Sequence, residues 1–282
     1  RIHLFESRNS EFKDESVLQE NVIVMLRRNV SQGDVVVSHS IDESLKNVKK
    51  RTFPGNVIVA CDDAEQYINI PSCDENVSID DFSVFRGSLR DIGLQVSTGA
   101  VVDFRIRDAL CKMPEKDTVP LLYPVHFKNN RVRWPIESKK PNALLVRNET
   151  KRLILPSGYY VVVKRFSAKE EKRRIVASLV AEDDFLSSCI AFENHLNVFL
   201  KDKQGLDREL AYGLVVWLNT TWLDERFRIF SGHTQVNATD LRNLPYPSVE
   251  QLKSMGRRLG LIKNEWAQEI FDNIAKEVAN EN

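Results

Sequence analysis

The sequence predicts a mixed α/β (α+β) fold: a twisted, largely antiparallel sheet flanked by helices, with a helical C-terminus. Three observations predict it. Short β-branched runs recur along the chain, and Gly158-Tyr-Tyr-Val-Val-Val-Lys164 is the clearest strand among them. Leu206, Leu210, Leu214, Trp217 and Leu218 form one stripe at helical spacing, which predicts a helix over 206–227. From Leu252 onward, Met255, Leu259, Ile262, Trp266, Ile270, Ile274 and Val278 recur at steps of three or four, which predicts a helical tail.

Taken in order, Ile2–Phe5 and Val17–Leu26 read as β-rich, and Val35–Val37 and Val57–Val59 repeat that pattern around a Pro54-Gly55 turn. The stretch 61–83 carries Asp62, Asp63, Glu65, Asp74, Glu75, Asp80 and Asp81 with no Lys or Arg, and reads as an acidic linker. A short helix is expected over 86–91, then a turn at Ser97–Gly99, then strands at 119–123 and 143–146. Ser248 and Gln251 have the spacing of a capping box, in which each side chain accepts from the other's backbone N–H. Gly256 and Gly260 are expected to break the tail into two helices. The expected domains are 1–60, the linker 61–83, a main domain 84–248 and C-terminal helices 249–282.

The chain's 282 residues hold 40 basic and 40 acidic side chains, and so carry no net charge. That balance is unusual for a nucleic-acid binder, whose affinity comes largely from cations on phosphates. The charge is segregated, however. Lys128, Arg131, Arg133, Lys139, Lys140, Arg147, Lys151 and Arg152 crowd one stretch against Glu137 and Glu149, and 164–174 forms a second basic run. Segregation permits one basic face on a neutral molecule. The longest apolar stretch, around Leu214–Leu218, is far too short to cross a bilayer, so no membrane partner is expected. Cys61, Cys73, Cys111 and Cys189 lack zinc-ligand spacing; no metal is expected, and reduced thiols fit a cytoplasmic location. A chain opening on Arg1 without a signal sequence reads as an internal or C-terminal piece of a longer polypeptide.

The most telling segment is Ser231-Gly-His-Thr-Gln-Val-Asn-Ala-Thr-Asp-Leu-Arg-Asn-Leu-Pro-Tyr-Pro247. Its polar side chains are poor core material, because each buried donor or acceptor needs a partner. Gln and Asn can pair with two atoms of an adenine edge, and Arg with guanine or phosphate. His233, Thr234, Gln235 and Asn237 are therefore the candidate base contacts, while Thr239, Asp240 and Asn243 suit a structural turn or cap. The same chemistry fits a sugar-binding loop. For the phosphate backbone the candidates are Lys164, Arg165, Ser167, Lys169, Arg173 and Arg174 beyond the clearest strand, with Arg131, Arg133 and Arg242 elsewhere. Glu193-Asn194-His195-Leu196-Asn197 is a weaker polar candidate, half of it expected to be buried by strand alternation.

The order of residues in GHTQVNATDLRNLPYP resembles the closing motif of the DNA-recognition domain in adenine-specific restriction-modification methyltransferases of the TaqI-like group. The resemblance extends upstream through LRDIGLQVSTGAVVDFRIRDAL, VPLLYPVHF, GYYVVVKRFSAKEEKRR, ENHLNVFL and LAYGLVVWLNTTWLDERFR. It implies that residues 1–60 are the last strands of a catalytic domain and 84–248 a target recognition domain for double-stranded DNA. By the same resemblance Phe12 would stack on a flipped-out adenine, since the exocyclic amine is out of reach in the stacked duplex. Neither a Pro-Pro-Tyr/Phe tetrad nor a Gly-x-Gly loop occurs in the chain. No catalytic residue and no cofactor are therefore assigned to it. S-adenosylmethionine is expected for the parent enzyme, in an upstream catalytic domain of the same polypeptide. Rival readings are a type I-like specificity subunit, part of a fused nuclease-methyltransferase, and an interaction domain with no DNA role. The nuclease reading has only the Glu-x-Lys string at Glu170-Glu171-Lys172, without a partner Asp.

Overall fold

The computed structural model describes residues 1–5, 21–59, 68–71, 73, 84–168, 170–230 and 234–281. Within it the chain forms two compact units, one of Arg1–Ser78 with Arg228–Gly232, the other of Ile79–Phe227 with His233–Asn282.

In the N-terminal unit, strands β1 (Ile2–Phe5), β2 (Val22–Val24), β3 (Val35–Ser40) and β4 (Lys49–Phe53) form a sheet in the order β2-β1-β3-β4. β1 and β3 run parallel, with Ile2 opposite Val37; the other pairs are antiparallel. Ile2, Val37, Phe53 and Ile58 are its buried apolar cluster. The expected strand at Val57–Val59 is instead the end of a short helix, α1 (Gly55–Ile58), and the Pro54-Gly55 turn is its start. The Val57 N–H donates to Pro54 O (3.0 Å) and the Val59 N–H to Gly55 O (2.9 Å). Turning Ile58 into the core outweighs the weak β preference of a three-residue run.

The larger unit opens with a turn where a helix was expected over 86–91. The Asp91 carboxylate accepts from the Ser88 N–H (2.8 Å) and hydroxyl (2.7 Å) and pins the chain locally. Those bonds, the backbone one foremost, hold Asp91 below the usual carboxylate range. Strand β5 (Gln95–Thr98) takes in most of the expected Ser97–Gly99 turn. There follow β6 (Leu110–Cys111), β7 (Thr118–Leu122), β8 (Phe127–Lys128), β9 (Arg131–Val132), β10 (Ala143–Leu145), β11 (Ile154–Pro156), β12 (Tyr160–Lys164), β13 (Ala177–Val180), β14 (Cys189–Phe192) and β15 (Leu196–Leu200). They make a five-stranded sheet, β11-β14-β7-β10-β6, a four-stranded sheet, β13-β12-β15-β5, and the hairpin β8-β9. Among the described strands of this unit β14 and β7 pair in parallel and the other pairs are antiparallel, so the unit is largely antiparallel, as expected. The strands divide among several sheets. One core gathers Tyr160, Val162, Phe192, Leu196 and Val198; a second gathers Val101, Leu121, Tyr123, Leu144 and Ala191.

The long helix expected over 206–227 is two helices, α2 (Arg208–Leu218) and α3 (Thr221–Phe230). Asn219 makes the break. Its side-chain oxygen accepts from the Ala177 N–H (3.1 Å) and its amide donates to Ala177 O (3.0 Å), docking the helix end on β13. A short α4 (Ala238–Arg242) precedes α5 (Val249–Gly260) and α6 (Gln268–Asn280). The Ser248 capping box is formed at both bonds: the Gln251 N–H donates to Ser248 Oγ (3.2 Å) and the Ser248 N–H to Gln251 Oε1 (2.8 Å). Gly256 does not break α5; it lies inside the helix, and the break falls after Gly260. A Cβ on Gly256 would run into Glu209 O, and one on Gly213 into Leu252 O, so two glycines let α2 and α5 touch backbone to backbone.

Candidate nucleic-acid interface

The clearest strand leads directly to the site. As β12 ends at Lys164, the chain continues through Arg165, Phe166 and Ser167 and takes the polar strip 234–236 as an antiparallel neighbour. The Ser167 N–H donates to Thr234 O (3.1 Å), and the Val236 N–H to Arg165 O (2.7 Å). Val236 is fully buried, and the buried Asn197 amide donates to its carbonyl (2.7 Å). One apolar residue and one buried amide thus anchor a strip whose other side chains stay accessible. Thr234 is exposed; Gln235 and Asn237 are half-buried.

Arg165 and Gln235 are brought together: the guanidinium donates to Gln235 Oε1 (3.4 Å) and to Asn194 O (3.5 Å). A donor fork beside an amide is a surface able to address both phosphate and base. Asn237 stands at the N-cap of α4, and its N–H donates to the Asp240 carboxylate (2.8 Å), the structural role expected of Asp240. Exposed Arg242 reaches from α4 to Val96 O (3.0 Å) on β5 and to Thr239 Oγ1 (3.4 Å). Phe12, Lys169 and His233 lie outside the described residues.

Three expected backbone contacts meet a different geometry. Arg174 is fully buried, its guanidinium over the Phe227 ring (5.2 Å), while the backbone N–H groups of Arg174 and Ile175 both donate to Asp224 Oδ1 (2.7 Å each). Arg173 is drawn inward by Gln268 Oε1 (2.5 Å) and Thr220 O (2.9 Å), tying the basic loop to α6. Ser167 is buried, and its hydroxyl donates to Arg173 O (3.4 Å). All three side chains brace the loop; Arg174 and Ser167 are withheld from its surface, and Arg173 is half-buried. Arg131 and Arg133 are exposed on and after β9, and no hydrogen bond links them to the strip. Arg131 stacks over the Trp266 ring (3.7 Å), and Arg133 donates its N–H to His126 O (2.7 Å).

Beside the strip lies a cavity of about 290 Å³, lined by Tyr123, Pro124, Val125, Lys140, Lys164, Phe166, Glu193 and His195. Lys140 pairs with Asp103 (3.1 Å). Burial works to raise the Asp103 pKa, but the bond to Lys140 and its charge hold the carboxyl below its ordinary value. Burial, together with the charges of Asp103 and Glu193, pushes the Tyr123 hydroxyl far up. Tyr123 gave no signal in sequence, since it ends an apolar strand, and Lys140 was legible only as part of the basic stretch 128–152. Glu193 and His195 lay in the stretch read as the weaker polar candidate. Among the described residues no group of His, Cys, Asp and Glu could hold a metal ion, and no helix is long and apolar enough to cross a membrane.

No protein-family model matches the chain. Over 275 residues, 98% of the chain, it is 44% identical to the type II methyltransferase M.BsuBI of Bacillus subtilis, of which it covers 53%. It is 41% identical over 278 residues to the type II methyltransferase M.PstI of Providencia stuartii, with 97% of this chain and 54% of that protein covered. Among solved structures, the type IIG restriction endonuclease BpuSI is similar at a TM-score of 0.47 and 11% identity, over 99% of this chain and 43% of that one. The type IIL restriction-modification enzyme MmeI, solved in complex with DNA, is similar at 0.46 and 10%, over 100% and 43%. The chain is a homologue of type II DNA methyltransferases and spans about half the length of the curated relatives it matches.

Proposed function

We propose that this chain holds the target recognition domain of an adenine-specific DNA methyltransferase from a type II restriction-modification system, together with the last strands of its catalytic domain. The observation that carries the reading is the pairing of strip 234–236 with residues 165–167, which puts Arg165 beside Gln235 next to Lys164 and exposed Thr234. In this reading His233, Thr234, Gln235 and Asn237 address base edges. Lys164, Arg165, Lys169, Arg131, Arg133 and Arg242 set register on the phosphates. Phe12 stacks on the extruded adenine.

The methyl donor, S-adenosylmethionine, belongs to the rest of the polypeptide, because this chain has neither the Gly-x-Gly loop nor the Pro-Pro-Tyr/Phe tetrad to hold it and the target amine. The N-terminal unit supports the same division. β2 is the edge strand of its sheet, and Val22, Ile23 and Val24 are all exposed on it. Successive residues of a strand face opposite sides, so among the described residues both faces at that edge are open and suit the remainder of a catalytic domain.

The test is methylation protection by the full-length protein carrying Gln235→Ala and Asn237→Ala. Each lost bidentate contact removes about 1–3 kcal/mol of discrimination, so the double variant should modify sites that the wild type ignores, with its fold intact by circular dichroism. Unchanged sequence choice would overturn the reading.

A further inference from the structure

Glu193 is a fully buried carboxylate just beyond β14, and its backbone is fixed on both sides. Its N–H donates to Leu122 O (3.0 Å), the Asn194 N–H donates to Val101 O (2.9 Å), and Gly99 lies so close to Glu193 O that a Cβ there would collide. A buried charge is tolerated only where it is paired and hydrogen-bonded. Here His195 supplies both bonds, its backbone N–H to Oε2 (2.9 Å) and its ring Nδ1 to Oε1. With Nδ1–H given to the carboxylate, the tautomer and the ring plane are set. Nε2 is the remaining edge, and it makes no hydrogen bond among the described residues. The ring is 42% exposed and lies 5.0 Å from the half-exposed ring of Phe166. The His195 carbonyl accepts from the Arg165 N–H (2.9 Å), and the Arg165 carbonyl in turn accepts from the Val236 N–H of the polar strip (2.7 Å).

The charge of the cavity selects among ligands. Of the two cations in the lining, Lys140 is spent on Asp103 and Lys164 is the phosphate contact proposed above, while the Glu193 carboxylate repels phosphate from its own side of the cavity. The Tyr123 hydroxyl is fully buried with no hydrogen-bond partner among the described residues. A neutral planar heterocycle, with acceptors or donors along one edge and a face for Phe166, suits this cavity better than an anion.

We infer that the cavity is a base-reading subsite, with His195 as its specificity-determining residue and Glu193 as the positioning residue that fixes the imidazole. The inference rests on the DNA-recognition reading above. It is tested with the full-length protein and duplexes that the wild type selects from a randomised library, followed by a series with each base pair substituted in turn. Affinities are measured by fluorescence anisotropy at one salt concentration. His195→Ala should lose about ten-fold of discrimination at one base pair while its affinity for an unrelated duplex stays close to that of the wild type. Glu193→Gln should weaken discrimination at the same base pair and change its pH profile, which a merely structural carboxylate would not do. An equal loss on every duplex would make His195 a backbone contact, and undiminished discrimination would give it no role; either result overturns the inference. Should Glu193→Gln fail to fold, the part-exposed His195 variant decides alone. A wild type that selects no sequence sinks the DNA-recognition reading itself, whereas a selective wild type matched by His195→Ala sinks only this inference.

Discussion

The N-terminal unit buries Ile2, Val37, Phe53 and Ile58, yet Ile23, Met25, Leu26 and Val30 stand open to solvent, Leu26 at 82% exposure. The larger unit closes two sheets and several helices over aromatic anchors such as Tyr160, Phe192, Trp217 and Tyr246, each at most 2% exposed. Both are built from similar β-branched runs. The difference lies in what covers them among the described residues: the larger unit supplies its own second layer, and the β2 edge of the N-terminal sheet has none. An apolar edge of this kind is a surface open to a further layer.

The comparison breaks most sharply at Trp217. Its ring is fully buried beside Phe85 (5.0 Å), and its indole N–H donates to Pro245 O (2.9 Å). Trp217→Ala should destabilise the larger unit by about 3–5 kcal/mol, read as a lower urea midpoint. A loss below about 1 kcal/mol would show that this core is far looser than its burial implies.

Next in size is the helix crossing. Gly213→Ala sets a methyl against Leu252 O and pushes α5 away. Overpacking of this kind costs about 1–3 kcal/mol, against which alanine's helix preference returns up to about 1. The matched control is Gly33→Ala in the N-terminal unit, where an added Cβ meets nothing within 4 Å. Equal midpoints for the two variants would contradict the close crossing.

A pH-dependent effect is expected in the larger unit. Buried His126 accepts the Tyr123 N–H at Nδ1 (2.9 Å), so its proton is on Nε2, which donates to Asn142 Oδ1 (3.0 Å). Burial disfavours the imidazolium and holds the His126 pKa below the ordinary 6.5, the Asn142 bond offsetting part of this. The folded chain therefore binds that proton less readily than the unfolded chain. The stability supplied by neutral His126 is complete above about pH 6.5 and drains away as the pH falls through the lowered folded value. In urea titrations at successive pH values, the advantage of wild type over His126→Gln should shrink on acidification; a constant gap would count against it.

What sequence could and could not tell follows the same contrast between local and distant causes. The β12 alternation and the Ser248 capping box are local patterns, and both stand where expected. Val57–Val59 misled because Ile58 is pulled inward by Ile2, Val37 and Phe53 from elsewhere in the chain. The basic run 164–174 was legible as charge, but charge alone does not say which cation faces water. Arg174 is turned inward by Asp224, fifty positions away, and Arg173 by Gln268, ninety-five away. The strip 234–237 was readable as polar surface; that Val236 would nail it to Asn197 and Arg165 was not. The Glu193–His195 pair had the weakest signal, since a carboxylate two residues from a histidine acquires meaning only once both flank a cavity.

The smallest expected effect sharpens the comparison from the other side. Leu26→Ser and Ile23→Ser remove apolar surface that this chain leaves in water, so each should change its stability by no more than about 0.5 kcal/mol and reduce self-association in sedimentation velocity. On the reading proposed above, the remainder of a catalytic domain covers that edge in the full-length protein, and the same substitutions should there each cost about 1.5–3 kcal/mol, the worth of burying such a side chain. The two proteins then respond unequally to one mutation. If the full-length protein is as indifferent as this chain, β2 is a true sheet edge.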